Sequence, residues 1–314
     1  MIIILAPVPA TVQAQTTIAA TPEWTSPQTP WGDPDLQGIW DYRTLTPLER
    51  PKEFSGKEFH TDKEVVDLER RRQERPDGRT PASGPIRPSV HAPWWLDYGT
   101  QVVESKRTSL IVDPPDGIIP PLTPEGQERE KNKRAYRYVH PADSWDDRNL
   151  FERCITRGLP RLPAGYNNNY QILQTPEYVV IYNEMIHNAR IIPLDGRAHL
   201  TENIRQWNGD SRARWEGHTL VVDTNNFSEK ADFKGSGKNL HLVERFRRVD
   251  AETIAYRFTV EDATTWKKPW TALIPLKRSQ YPIFEYACHE GNYGLANILR
   301  VARTAEKAAQ DTTK

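Results

Sequence analysis

The sequence has no surplus of charge of either sign. Its 42 Lys+Arg balance 42 Asp+Glu over 314 residues. That balance excludes electrostatic capture of nucleic acid or of an anionic membrane face, and no basic stripe suggests otherwise. Cysteine is nearly absent: Cys154 and Cys288 are the only two, and neither sits in a CxxC. Thiol-redox chemistry and a zinc knuckle are excluded with it. Glycine is outnumbered, 17 against 26 prolines, while tryptophan reaches 10. That mixture does not suit a helical bundle and does suit a loop-rich β protein with many aromatic surfaces. The chain also lacks a GxSxG elbow, a P-loop, a dinucleotide fingerprint, HExxH and a dense Asp loop.

What is present begins with MIIILAPVPATVQAQ, an apolar run ending in small residues. It is too short and too proline-broken to span a bilayer. Val12 and Ala14 stand at the −3 and −1 positions of a signal-peptidase site, so residues 1–14 read as the remnant of an export leader. A periplasmic or secreted location follows, with no integral membrane segment in the mature chain. In that compartment Cys154 and Cys288 are expected to pair. Closing so long a loop contributes roughly 4–5 kcal/mol in the chain-entropy model.

Residues 15–35, rich in Thr, Pro and Gln, read as a flexible tether. From 36 to 310 the pattern is that of a single mainly β domain: an antiparallel, lipocalin-like barrel with helical and proline-rich insertions. DLQGIWDYRTL supplies a first strand with the Gly-x-Trp signature of lipocalin-type barrels, in which the Trp plugs one end. A capping box at Thr61–Glu64 opens an inserted helix over about 61–75. Thr123-Pro124, an N-cap followed by proline, opens a second over about 123–138. Gln101–Glu104 and Ser109–Asp113 read as a short hairpin. From Tyr166 onward nine short runs follow one another across turn signals, from NNNYQILQT to PIFEYACHE. They predict an antiparallel meander long enough to close on itself and remove its edges. LANILRVARTAEKAA predicts a C-terminal helix capped by Asn292.

Five stretches, NEMIHNARIIPLDGRAHL, GDSRARWEGHTLVVDTNNF, LVERFRRVDAETIAYRFTVED, RCITRGLP and FEYACHEGNYG, resemble a family of exported bacterial proteins. The resemblance runs over most of residues 30–308. It implies export and brings no assigned catalytic residue with it.

Candidate chemistry lies at strand ends. Asn167 and Asn169 share a strand face with Gln171, and Tyr170 points opposite. Asparagines in a strand require partners or a ligand; the alternative is a turn in which they cap loose backbone groups. Glu184, His187 and Arg190 gather at a hairpin tip, where Glu184 and Arg190 form a cross-strand ion pair if the turn spans 185–189. His187 is then left at the tip. Glu244 shares a face with Leu240, Leu242 and Phe246, so it needs a cation such as Arg257 or Arg153, or a ligand hydroxyl. Asp210, Arg212, Arg214 and Glu216 read as surface pairs. In the last run, Glu285 and His289 point inward if Cys288 turns outward to Cys154. A carboxylate and an imidazole so placed suit general acid–base chemistry.

These observations give two expectations. The first is an exported enzyme of lyase, hydratase or hydrolase type, acting on a small polyhydroxylated or aromatic molecule in a barrel mouth. In it His289 is the base, Glu285 orients it, and Glu244 or Glu184 is the acid. Asn167, Asn169, Tyr170, Arg153 and Arg190 hold the substrate, and neither metal nor cofactor is called for. The alternative is a non-catalytic lipocalin-like carrier.

Overall fold

The structure is a computed structural model and describes residues 24–74 and 96–312. The leader, the first part of the tether and the proline-rich stretch ending in Trp94-Trp95 lie outside the described residues. The strands are β1 (Gly38–Asp41), β2 (Ile111–Asp113), β3 (Asn169–Gln174), β4 (Tyr178–Asn183), β5 (Asn188–Pro193), β6 (Asp210–Glu216), β7 (Thr219–Asn225), β8 (His241–Arg248), β9 (Thr253–Glu261) and β10 (Trp270–Arg278). The helices are α1 (Asp62–Glu74), α2 (Pro124–Val139) and α3 (Tyr293–Thr312).

Nine strands form one antiparallel sheet in the order β5-β4-β3-β1-β10-β9-β8-β7-β6, and β2 adds to β10. The sheet curls into a nearly closed, lipocalin-like barrel. Its free edges, β5 and β6, meet through side chains: Arg190 on β5 donates to Ser211 Oγ on β6 at 3.1 Å. Alternation dictates the lumen, because every second residue of each strand faces inward. On β9 that face is Ile254, Tyr256, Phe258 and Val260, each 0% exposed. Tyr256 packs on Phe246 at 4.6 Å between ring centroids, and on Tyr170 at 6.3 Å. The lumen is therefore filled by side chains.

One end of the barrel is plugged as the Gly-x-Trp motif implies. Trp40 is fully buried, donates its indole N–H to Leu36 O at 2.9 Å, and lies under the guanidinium groups of Arg248 and Arg278. The tether expectation changes from residue 24: Ser26 and Thr29 are buried, and a tight loop over 28–34 closes on itself. At the opposite end converge the last residue of β1, the first of β3, the tip between β4 and β5, and the connections after β7 and β9. Loops and α2 cover this second end.

The helix signals hold. Thr61 and Glu64 form their reciprocal cap, and the Thr123 hydroxyl accepts from Gly126 N at 3.0 Å. Asn292 caps α3 by accepting from Leu295 N. Two strand expectations fail. Residues 101–104 form no hairpin with 109–113; β2 pairs with β10, because the central sheet offers it a longer apolar partner. The last run, PIFEYACHE, is not a strand either. Both edges near it are already occupied, β10 lying between β1 and β9. The disulfide expectation is met: Cys154 and Cys288 are bonded across 134 positions, with Cα atoms 5.7 Å apart.

Candidate functional site

The polar residues divide between the lumen and the loop-covered end. Deep in the lumen, Glu244 is 0% exposed and receives two hydrogen bonds from Arg190, at 3.1 and 2.6 Å. Tyr256 donates to the same carboxylate at 2.8 Å, and Thr224 accepts from Arg190. Burial, then the charge of Glu244, pushes the Tyr256 phenol well above its ordinary range. This corrects two expectations. The cation for Glu244 is neither Arg257 nor Arg153, and Arg190 does not pair with Glu184. The reason is alternation around a closed barrel: Arg190 and Glu244 both face inward, on strands that sequence distance separates and closure brings opposite. A carboxylate so fully bonded and shut from water is a structural charge pair, not a proton donor to a substrate.

At the loop-covered end, Glu184 accepts from the backbone N of Asn169 at 3.2 Å and from its Nδ2 at 2.8 Å. These two candidate residues do come together. Asn168 does what a turn asparagine does: its Oδ1 accepts from Ala164 N, and its Nδ2 donates to Ala164 O and Asp97 O. Asn167 takes a left-handed φ of 52° just before β3, so it never shares a strand face with Asn169. Tyr170 is buried in the upper lumen, 5.0 Å from the Tyr42 ring, and its hydroxyl lacks a partner.

The tip between β4 and β5 holds His187 at φ 39°, after Ile186 at φ 63°. Left-handed backbone at a β-branched residue is strained, and such strain collects where a side chain must be aimed. The His187 ring is exposed, and its Nδ1 lies 2.9 Å from Tyr286 O. A carbonyl only accepts, so Nδ1 carries the proton in this bond, and in the neutral ring the lone pair is on Nε2. The His289 ring is 6.4 Å away. His289 and Glu285 are exposed on the irregular segment after β10, not inside the barrel, because that segment forms no strand. Among the described residues the His289 imidazole has no hydrogen-bond partner. Tyr286 stacks with Tyr166 at 6.5 Å, and burial, then Tyr166, raises its phenol.

A cleft of about 710 Å³ opens between α2 and the loops after β7 and before β3, and His187, Tyr286 and His289 are not on its lining. Trp207, Phe227 and Phe233 supply apolar wall, and Arg153 and Arg157 stand on its lining. Arg153 bonds Asp146 at 2.9 Å and lies 4.4 Å over the Trp145 ring. It therefore faces this cleft rather than Glu244 or the histidines. Arg157 and Arg161 were not among the expected site residues; their signal is RCITRGLPRLP, which carries three arginines, Arg153, Arg157 and Arg161, with no acidic residue among them.

Asn169, Glu244 and His289 do not converge on one cavity. Glu184, Asn169, His187, Tyr286 and His289 do share the loop-covered end, with the Cys154–Cys288 bridge tying the last segment to it. Among the described residues no group of three or more His, Cys, Asp or Glu side chains is placed to hold a metal ion. No protein-family model, curated protein or solved structure matches the chain.

Proposed function

We propose that the protein is an exported enzyme, periplasmic or secreted, that performs acid–base chemistry on a small polyhydroxylated or aromatic molecule. The site is the loop-covered end of the barrel, the reaction is of lyase, hydratase or hydrolase type, and His187 is the base. The observation that carries this reading is the 2.9 Å contact between His187 Nδ1 and Tyr286 O. It fixes the tautomer and leaves Nε2 free to take a proton, which is the role first expected of His289. His289, 6.4 Å off, is the second imidazole and takes the part of acid. Glu285 has no orienting role in this arrangement. Trp207 in the cleft and the Tyr166–Tyr286 stack provide faces for a sugar or aromatic ring.

Export is supported by the disulfide and by the leader-like start. No described helix is long and apolar enough to cross a membrane, which is compatible with it. The carrier alternative is weakened by the lumen, whose inward faces carry buried aromatic and aliphatic side chains such as Tyr170, Phe246, Tyr256 and Phe258. Substrate profiling by mass spectrometry tests the reading. Wild type is expected to change the mass or isomer of some small carbohydrate or aromatic acid, and His187→Ala, with an unchanged melting temperature, is expected to lose that conversion about hundredfold or more. Conversion by His187→Ala at the wild-type rate overturns the assignment.

A further inference from the structure

Most buried cations in this protein have their partners. Arg190 has Glu244, Arg50 bonds Thr108 and Pro115 O, and Arg248 donates to the carbonyls of Asp35, Asp250 and Ala251. Arg161 departs from this rule. It is 3% exposed, and both its Nε and Nη2 are buried without any hydrogen-bond partner. Its charge acts on the buried Tyr42 phenol and opposes the rise that burial imposes there. No carboxylate lies within ion-pair distance of it among the described residues.

Arg157 stands close by and repels it. Partial burial, then the charge of Arg161, holds the Arg157 guanidinium below its ordinary range. After Arg161, the next groups to act on Arg157 are the phenols of Tyr166, Tyr42 and Tyr286, and among the described residues it makes no ion pair with a carboxylate. Arg157 itself is exposed, lies 4.5 Å over the Phe151 ring and lines the cleft. Glu184, whose charge reaches the neighbouring Tyr42 phenol, is taken up by Asn169. Two uncompensated guanidinium groups thus sit together, one at the surface and one beneath it. Desolvating an unpaired charge is costly, and keeping two of like sign together adds to the cost. A chain balanced at 42 charges of each sign does not lack acids to place there.

We propose that Arg157 and Arg161 bind an oxyanion, the carboxylate, sulfate or phosphate group of the small molecule handled at this end of the barrel. Arg157 takes the anion from the cleft through the paired N–H groups of its planar fork, and Arg161 strengthens the field from below. The phenols of Tyr42, Tyr166 and Tyr286 surround the position, and Tyr286 links it to His187 through the backbone carbonyl that orients the imidazole. The inference deepens the proposed function by giving its substrate a negative charge, and it rests on that reading only for the word substrate.

Isothermal titration with benzoate, inorganic sulfate and inorganic phosphate, at constant ionic strength, tests it. At least one of the three is expected to bind saturably to wild type. Arg157→Gln, an exposed change that spares the core, is expected to weaken that binding at least tenfold, and Arg161→Gln to weaken it severalfold where it folds. Arg245→Gln, on the outer face of the barrel, is expected to leave it unchanged. The rank of the three anions tells carboxylate from sulfate and phosphate. Absence of saturable binding by all three, or equal binding by Arg157→Gln, overturns the proposal. The result is independent of turnover: anion binding that survives in His187→Ala separates a failed base assignment from a failed anion site.

Discussion

At the scale of single residues, the buried pair Arg190–Glu244 is the clearest case of sequence stating a need without its solution. A carboxylate between Leu242 and Phe246 on a strand demands a cation, and that much is legible. Which arginine answers depends on how strands far apart in sequence meet across the lumen, which no local pattern encodes. Removing one partner leaves the other buried and unpaired, so Glu244→Ala is expected to cost about 3–5 kcal/mol in a urea titration. The double replacement Glu244→Leu with Arg190→Met is expected to recover most of that. A loss below 1 kcal/mol for the single change would contradict the burial described.

A second prediction at this scale concerns pH. On the outer face, His241 lies 2.9 Å from Asp223 and His199 lies 3.0 Å from the same carboxylate. The hydrogen bond to Asp223, opposed by partial burial, raises His241 above its ordinary 6.5. A raised histidine contributes stability that is fully present below pH 6.5 and is lost as pH rises through the folded value. His241 is 40% exposed at its side chain, so the effect is small. Melting temperature is expected to fall slightly from pH 6 to pH 8, and Asp223→Asn to flatten that slope. An unchanged slope in Asp223→Asn would refute the pairing.

At the scale of elements, eight of the nine expected strands in the second half form, because each carries its own alternation and turn residues. The ninth, PIFEYACHE, also carries alternation and does not form, since β10 is hydrogen-bonded on both sides by β1 and β9. Strand propensity without a free edge yields an irregular segment. The hairpin tip at 185–187 was legible as a tip, but the aim of His187 was not, for it depends on two consecutive left-handed residues. The segment after β10 is held by the Cys154–Cys288 bond and by Asn292, whose Nδ2 donates to Glu152 O at 2.8 Å. None of the barrel ladders includes it. Cys154→Ser with Cys288→Ser is therefore expected to leave the barrel folded while amide exchange over 279–292 accelerates and His187 loses its fixed carbonyl. Equal protection of that segment in both forms would show that the bridge does not hold it.

At the scale of the whole molecule, the fold follows from a balance of absences and repeats: few glycines, many aromatics, and short runs at steady spacing. Trp40 is its most economical sign, three residues that mark which end is sealed. Trp40→Ala is expected to cost about 3–5 kcal/mol, read by chemical denaturation, because a fully buried indole leaves a cavity that cannot collapse around it. With that end sealed and the lumen lined by buried rings, the site we propose is at the opposite end. There, residues from β3, the β4–β5 tip, the 156–163 loop and the segment after β10 are gathered by closure and by one disulfide. The types present were readable beforehand: Glu184, His187, Asn169, His289. Their grouping was not, because it is set by which end of the barrel each loop crosses.

The measurement that tests this division most directly is the conversion rate of the substrate found by profiling, taken in parallel for wild type, His187→Ala and the lumen double variant Glu244→Leu with Arg190→Met. All three are to be confirmed folded by thermal melting. The account predicts near-wild-type conversion by the lumen variant and a loss of about a hundredfold or more in His187→Ala. Loss in the lumen variant with full activity in His187→Ala would contradict it.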